Sequence, residues 1–268
     1  MKKILFIIDK IELKYFEFNN LVTNFWMIKE FLERGNEVFI TTIPNLSLKQ
    51  DKAFTKCFET FKSENNIFYK DIKQEKEIDE FDLVMFRPDP PVDIDYINAT
   101  YIFDFVTKPQ VINSPSAIRD FNEKLHSVHF KELMTDNIVT ASLEEIEAFL
   151  AIHKQIVLKP LNRCFGSGVM YLYQGDPNTR TIINTMTNNE TTLVMVQEFI
   201  PAVKQGDKRV LTLGDKVLKL KSCQLKTILN LILITIILLL LPNFQVKNML
   251  ILQMLLKNST QWVFQWQA

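Results

Sequence analysis

The sequence predicts an α/β protein in two parts: a doubly wound, parallel-sheet domain first, then a smaller α+β domain. Three observations carry this. Apolar runs of strand length recur at Ile4–Ile8, Glu37–Thr41 and Phe81–Phe86, with a helical stretch between the first two. Beyond about residue 123 strands and helices still mix, but without strand–helix–strand regularity. The 268 residues suffice for two compact units, and 47% hydrophobic with 23% charged residues is ordinary globular usage. A wholly disordered, collagen-like or disulfide-framework chain is excluded.

Ile4–Ile8 is apolar on both faces, as a buried parallel strand must be. It ends at Asp9, too short and without the small-residue end of a secretory signal. Leu21–Glu33 sets Phe25, Ile28 and Leu32 at helical spacing, and Gly35 follows where a helix end needs positive φ. Glu37–Thr41 is the second strand. Residues 45–80 are polar and weakly periodic; only a strand near Ile67–Tyr69 is legible there. Phe81–Phe86 is the next strand, stopped by Arg87-Pro88-Asp89-Pro90-Pro91, whose prolines forbid continued sheet or helix. Ligands of open α/β sheets collect at that strand edge. A helix over Asp93–Val106, a short strand at Gln110–Asn113 and a helix opened by Ser114-Pro115-Ser116 complete the domain.

The second domain begins near residue 123, giving expected bounds of 1–122 and 123–218. Helices are expected at 125–133, 142–153 and 178–188, and strands at 155–159, 168–173 and 193–198. Lys+Arg 31 balances Asp+Glu 31, so no electrostatic footprint for nucleic acid exists. Three cysteines, Cys57, Cys164 and Cys223, fit neither metal spacing nor paired disulfides and suit a reducing, cytoplasmic setting.

Three segments could carry chemistry. Lys159-Pro160, then Asn162 to Gly168, puts a lysine at the end of an apolar strand before a small-residue loop. Gly166 and Gly168 would let backbone N–H groups approach phosphate oxygens, with the ammonium offsetting their charge; taken alone, these residues favour a hairpin turn with an exposed lysine. The order of a Walker loop is absent. Gln197-Glu198-Phe199-Ile200-Pro201 is either an ordinary strand end or a backbone edge that reads a base, with Phe199 and Ile200 beside it. Gly206-Asp207-Lys208-Arg209 is either a solvated hairpin tip or a turn in which Asp207 holds a ribose hydroxyl and Arg209 a phosphate. His126, His129 and His153 form no metal set, and no nucleophilic triad is present.

These segments together resemble the prokaryotic glutathione synthetases, which are ATP-grasp ligases. The resemblance covers residues 1 to about 218 and rests on Arg87–Pro91, Ala99–Ile102, Ile118–Leu125, Val157–Leu161 and Gln197 through Gly206–Leu211, in that order, with Asp9 and Thr23–Phe25 in keeping. It implies a Rossmann-like pre-ATP-grasp domain followed by an incomplete ATP-grasp domain. It further implies that Lys124 and Lys159 meet nucleotide phosphates, that Gln197 and Glu198–Ile200 form the adenine-side hinge, and that Asp207 contacts the nucleotide. Arg209 would steady the transferred phosphoryl group, and Arg87 and Asp89 would face the peptide substrate. The implied reaction joins γ-glutamylcysteine to glycine with ATP and magnesium through an acyl phosphate, in a homo-oligomer. The loop after Lys159-Pro160 departs from the family's Asp-Gly-Met-Gly-Gly: Phe165 stands where glycine is usual, although Arg163 adds charge.

The last stretch departs further. From Lys216 onward there are six lysines and no Asp, Glu, Arg, His or Gly, so the tail is +6 and residues 1–215 carry −6. Residues 219–268 match none of the family's glycine-rich loop, arginines or acidic metal-binding strand, and magnesium prefers oxygen ligands. Leu225–Leu241 is aliphatic apart from Lys226, Thr227, Asn230 and Thr235, short of the ~20 residues of a membrane span. It reads as a membrane anchor, a core helix, or the product of a reading-frame shift in AT-rich coding sequence; the composition favours the last. The expectation is an enzyme impaired by loss of its metal site, with a non-catalytic nucleotide-binding or membrane-attached remnant as the alternative.

Overall fold

The computed structural model describes residues 1–14, 16, 22–64, 66–164, 166–213, 216–223, 235–237 and 265–266, with the backbone alone at 11, 12, 205 and from 207 onward. The chain divides into two compact units, Met1–Asp120 and Phe121–Ala268.

The first unit runs β1 (Lys3–Ile7), α1 (Lys10–Lys14), α2 (Thr23–Glu33), β2 (Glu37–Thr41), β3 (Leu46–Lys49), β4 (Lys52–Ser63), β5 (Asn66–Glu77), β6 (Leu83–Phe86), α3 (Ile94–Ile102), β7 (Gln110–Ile112) and α4 (Pro115–Asp120). One sheet takes the order β3-β4-β2-β1-β6-β7, with β5 on the other edge of β4. β2, β1, β6 and β7 are parallel, while β3, β4 and β5 are antiparallel additions. Alternate residues of β1 serve opposite cores. Leu5 and Ile7 join Phe86, Tyr96, Ala99 and Ile118 on the α3–α4 side. Ile4 and Phe6 join Phe25 and Ile28 of α2. That double burial is why the run is apolar throughout; a fully buried Ile28 alone contributes about 1.5–3 kcal/mol. α2 ends as Gly35 turns to φ +76 and its N–H bonds Leu32 O at 3.0 Å. Asp93 caps α3 by accepting the Tyr96 N–H at 2.9 Å.

The polar stretch 45–80, where little was expected, is a long antiparallel hairpin of two twelve-residue strands. Its inward positions are Ala53, Thr55, Cys57 and Thr60, all buried. Their hydroxyls are satisfied: Thr55 Oγ1 bonds Thr41 Oγ1 at 2.9 Å, and Thr60 Oγ1 donates to Val38 O at 2.7 Å. Its outer positions are laced by Lys49–Glu75, Lys52–Glu77 and Lys70–Glu59 pairs at 2.6–3.0 Å, each worth about 0–1 kcal/mol when exposed.

The second unit runs β8 (Asn137–Thr140), α5 (Leu143–His153), β9 (Gln155–Pro160), β10 (Met170–Tyr173), α6 (Thr179–Met186), β11 (Val194–Glu198), β12 (Asp207–Leu213), β13 (Lys216–Cys223), β14 (Thr235–Ile237) and β15 (Gln265–Trp266). An antiparallel sheet has the order β10-β9-β11-β8, and a second has β13-β12-β14-β15. One face of the first sheet presents Ile156, Leu158, Leu172, Val194 and Val196 to Ile146, Phe149 and Leu150 of α5 and Ile183 of α6. Ser142 caps α5 through the Glu145 N–H at 3.3 Å. β8 was not foreseen, and residues 125–133 form a 3-10 helix kinked at Phe130 instead of an α-helix. Within the aliphatic run of the tail, Thr235–Ile237 is a strand lying parallel to β12; most of the rest falls outside the described residues. Among the described residues no helix is long and apolar enough to cross a membrane.

Candidate functional site

The candidate residues fall in two sets, one in each unit. In the first unit Arg87 and Asp89 follow β6, at the carboxyl edge of the parallel strands. The Arg87 N–H bonds Ile7 O of β1 at 3.0 Å, which ties the loop to the sheet. Arg87 Nε donates to Asn24 Oδ1 at 2.7 Å, and Asn24 returns a bond to Arg87 O at 3.4 Å. Asp9, at the end of β1, accepts the Asp89 N–H on Oδ2 at 2.7 Å. Tyr96 donates its phenol to Pro88 O at 3.1 Å. Loss of solvent raises the Asp9 carboxyl above its usual range, and the Asp89 charge adds to this, against the pull of the Asp89 N–H. Asp89 is raised too, loss of solvent outweighing the Arg87 guanidinium. The edge thus presents one cation and two carboxyls held by a stiff loop.

In the second unit the strand pleat separates core positions from the candidate ones. Ile156 and Leu158 of β9 point into the helix-side core, so Val157 and Lys159 face the other way. On β11, Met195 lies opposite Lys159 and Gln197 opposite Val157, which puts Gln197 diagonally across from Lys159 on the same face. Lys159 is not an exposed hairpin residue: it is 6% exposed and Gln197 3%. Its Nζ donates to Gln197 Oε1 at 2.5 Å. Lys124, also buried, approaches from the segment before the 3-10 helix. Its Nζ bonds Glu123 Oε1 at 2.6 Å and the carbonyl of Arg163. Burial, then the Lys124 charge, pushes the Lys159 ammonium down to about 7, with Glu123 working the other way.

The loop after β9 is held by the same segment: Asn122 Nδ2 donates to Leu161 O at 2.9 Å. Gly166 and Gly168 both take positive φ, +72 and +73. A Cβ at Gly168 would stand 3.0 Å from Pro160 Cγ, so glycine is required twice over there, by conformation and by space. Phe165 lies outside the described residues. Past β11, Phe199 is buried with Val157 and Val169 and meets the Tyr171 ring edge-on at 4.8 Å. The N–H groups of Glu198 and Phe199 bond Asp136 O and Gln155 O at 2.9 and 3.0 Å. Reading a base through those two groups would require this pairing to open. Ile200 leads into a 3-10 turn over Pro201–Gln205.

Asp207 and Arg209 lie in β12, paired with Cys223 and Lys221 of β13. The segment is therefore the start of a strand and not the hairpin tip its charges suggested; Gly206, at φ +108, makes the bend before it. The side chains of Asp207 and Arg209 are not among the described atoms. The sequence did not disclose that Glu123 partners Lys124 or that the Arg163 carbonyl meets the same ammonium. The adjacent Glu123-Lys124 pair was the only available signal.

Comparison with known proteins bears on both units. The N-terminal domain of prokaryotic glutathione synthetase matches residues 2–119, and the ATP-grasp domain of the same family matches residues 123–226. A glutathione synthetase of Vibrio parahaemolyticus serotype O3:K6 is 37% identical over 198 residues, covering 72% of this chain and 63% of that protein. One from Buchnera aphidicola subsp. Schizaphis graminum is 34% identical over 198 residues, 72% and 62% of the two chains. The chain thus spans under two thirds of these relatives' length. Among solved structures, a RimK domain protein ATP-grasp from Sphaerobacter thermophilus gives a TM-score of 0.53 at 18% identity, over 82% of this chain and 72% of that one. A D-alanyl-alanine synthetase A from Vibrio cholerae gives 0.51 at 12% identity, over 81% and 65%. These two speak to the fold alone, an α/β unit followed by an ATP-grasp unit. The two matched domains and the sequence relatives carry the assignment: the chain belongs to the prokaryotic glutathione synthetase family.

Proposed function

We propose that the second unit grips the polyphosphate of ATP, and that the chain's chemistry is the ATP-dependent ligation of γ-glutamylcysteine to glycine. The observation that carries this reading is the buried pair Lys124 and Lys159, two ammonium groups beside one carboxylate, Glu123. Two buried lysines that share one carboxylate, next to a loop with two positive-φ glycines, fit a phosphate chain. ATP would supply the phosphoryl group that turns the cysteinyl carboxylate into an acyl phosphate, which the glycine amine then displaces. Lys124 and Lys159 would offset phosphate charge, and the Gly166–Gly168 turn would admit backbone N–H groups to the oxygens. Gln197 and Glu198–Ile200 would line the base side, Asp207 would contact the nucleotide, and Arg209 would steady the group in transfer. Arg87 and Asp89 would hold the peptide substrate. Such a site works by positioning and by fixed charge, with water kept out.

The residues present do not fit magnesium. Among the described residues no three of His, Cys, Asp and Glu stand together. The sequence has no Asp or Glu after Asp215, and magnesium takes oxygen ligands, carboxylates foremost. We therefore expect ATP binding with little turnover. The same carboxylate-free stretch favours a second reading, a nucleotide-binding relative kept without catalysis. Equilibrium dialysis with ATP and an assay of glutathione formation, both on the purified 268-residue chain, test this. Saturable ATP binding with a trace of glutathione supports the impaired ligase, and binding with none supports the second reading. Turnover in the ordinary range of about 1–1,000 per second overturns the metal argument. Absence of saturable ATP binding overturns the nucleotide reading.

A further inference from the structure

Lys159 has an unusual partner. A buried ammonium is ordinarily matched by a carboxylate, because an uncompensated charge away from water is costly. Here the atom it touches is the neutral amide oxygen of Gln197, at 2.5 Å. The charged groups that act on it are Lys124, of like sign, and Glu123, which is already engaged with Lys124 at 2.6 Å. Among the described residues the neighbouring strands bring no further charge to it: β11 offers Gln197 and Met195, and β8 places the neutral Asn137 opposite Gln197. β10 places the phenol of Tyr171 opposite Val157.

We propose that Gln197 is a positioning residue that holds Lys159 without a counter-ion, so that an arriving phosphate supplies the missing negative charge and is bound together with one proton. The proposal rests on the nucleotide reading above. In the empty site at pH 8 the Lys159 ammonium, pushed down to about 7, has largely given up its proton, and the amine keeps an N–H bond to Gln197 Oε1. A phosphate oxygen beside it makes the ammonium favourable again. The proton comes from the buffer, which gives up its own N–H or O–H bond, and ends in a new N–H bond on Nζ; no bond between heavier atoms changes. An amide does what a carboxylate could not: it fixes the lysine's direction without satisfying its charge.

Calorimetric titration of the full chain with metal-free ATP at pH 8, repeated in buffers of different ionisation enthalpy, counts the protons taken up. At that pH the terminal phosphate of ATP is fully ionised, so uptake reports the protein. A group titrating near 7 in the empty site takes up about 0.9 proton per nucleotide. Gln197→Glu supplies a permanent counter-ion, so uptake should vanish and affinity fall about tenfold or more. Gln197→Met keeps the site neutral and should retain the uptake. Thermal unfolding of both variants checks that they fold, and the wild-type proton count needs no variant. ATP binding with no proton uptake by the wild type overturns the proposal and leaves the nucleotide reading standing. Undiminished uptake in a folded Gln197→Glu chain overturns the role given to Gln197. No ATP binding by the wild type overturns both.

Discussion

Replacing Lys159 by methionine should make the empty protein more stable at neutral pH, and the gain should disappear in mild alkali. The ammonium titrates near 7 when folded, against 10.5 for the free side chain. Over that interval the unfolded chain binds more protons than the folded one, so the wild type gains stability as pH rises. At pH 7, keeping this group in the fold costs up to about 4 kcal/mol relative to a side chain that never ionises. At pH 9 the cost is about 2 kcal/mol by the same linkage. Methionine keeps the aliphatic stem but leaves Gln197 Oε1 without its donor, a loss of about 1–3 kcal/mol. Lys159→Met should therefore be more stable than wild type by about 1–3 kcal/mol at pH 7, and about equal to it at pH 9. Urea unfolding followed by far-ultraviolet circular dichroism at the two pH values measures the difference; titrating groups other than Lys124 and Glu123, which act on Lys159, cancel. A difference that is the same at both pH values refutes the reasoning.

Two other substitutions or treatments follow from the same geometry. Gly168→Ala forces a Cβ onto a residue at φ +73, with Pro160 Cγ 3.0 Å away; it should destabilise the second unit by about 1–2 kcal/mol in urea unfolding and weaken ATP binding. Cys57 is fully buried, and loss of solvent pushes its thiol up to about 11; at pH 8 it should ignore a thiol reagent in the folded chain and react once urea is added, as a mass shift on the peptide carrying it would show.

How far the sequence disclosed all this depends on which residues face inward. β1, β2 and β6 were legible because parallel strands buried on both sides must be apolar throughout, and Glu37–Thr41 coincides with the expected strand. Of the β4–β5 hairpin only the start of β5 at Ile67–Tyr69 was legible; β4 was not, because its buried positions are Ala, Thr and Cys while charged residues alternate with them. The side-chain hydroxyls that make Thr55 and Thr60 tolerable inside are satisfied by residues of β2, a contact no local window contains. β8, four residues long, is too short to show a period. At the candidate site the lysines and glycines could be named from their order along the chain. That Lys159 is buried and faces an amide could not, since its partner is 38 residues away and arrives only through sheet register. For Gly206–Arg209 the charges and the glycine suggested a turn; only Gly206 bends, whereas pairing with β13 carries the strand through Asp207–Arg209.

The alternation along β9 has a consequence for how such a protein can change over generations. Because Ile156 and Leu158 serve the helices while Val157 and Lys159 serve the opposite side, neighbouring codons answer to different selective demands. A lineage can alter the side that carries Lys159 at every second residue of one strand while leaving the helix-side layer untouched. The opposite side is not free of the fold, since Val157 packs there and the burial of Lys159 weighs on stability, so a change at either carries a thermal cost within the same six positions.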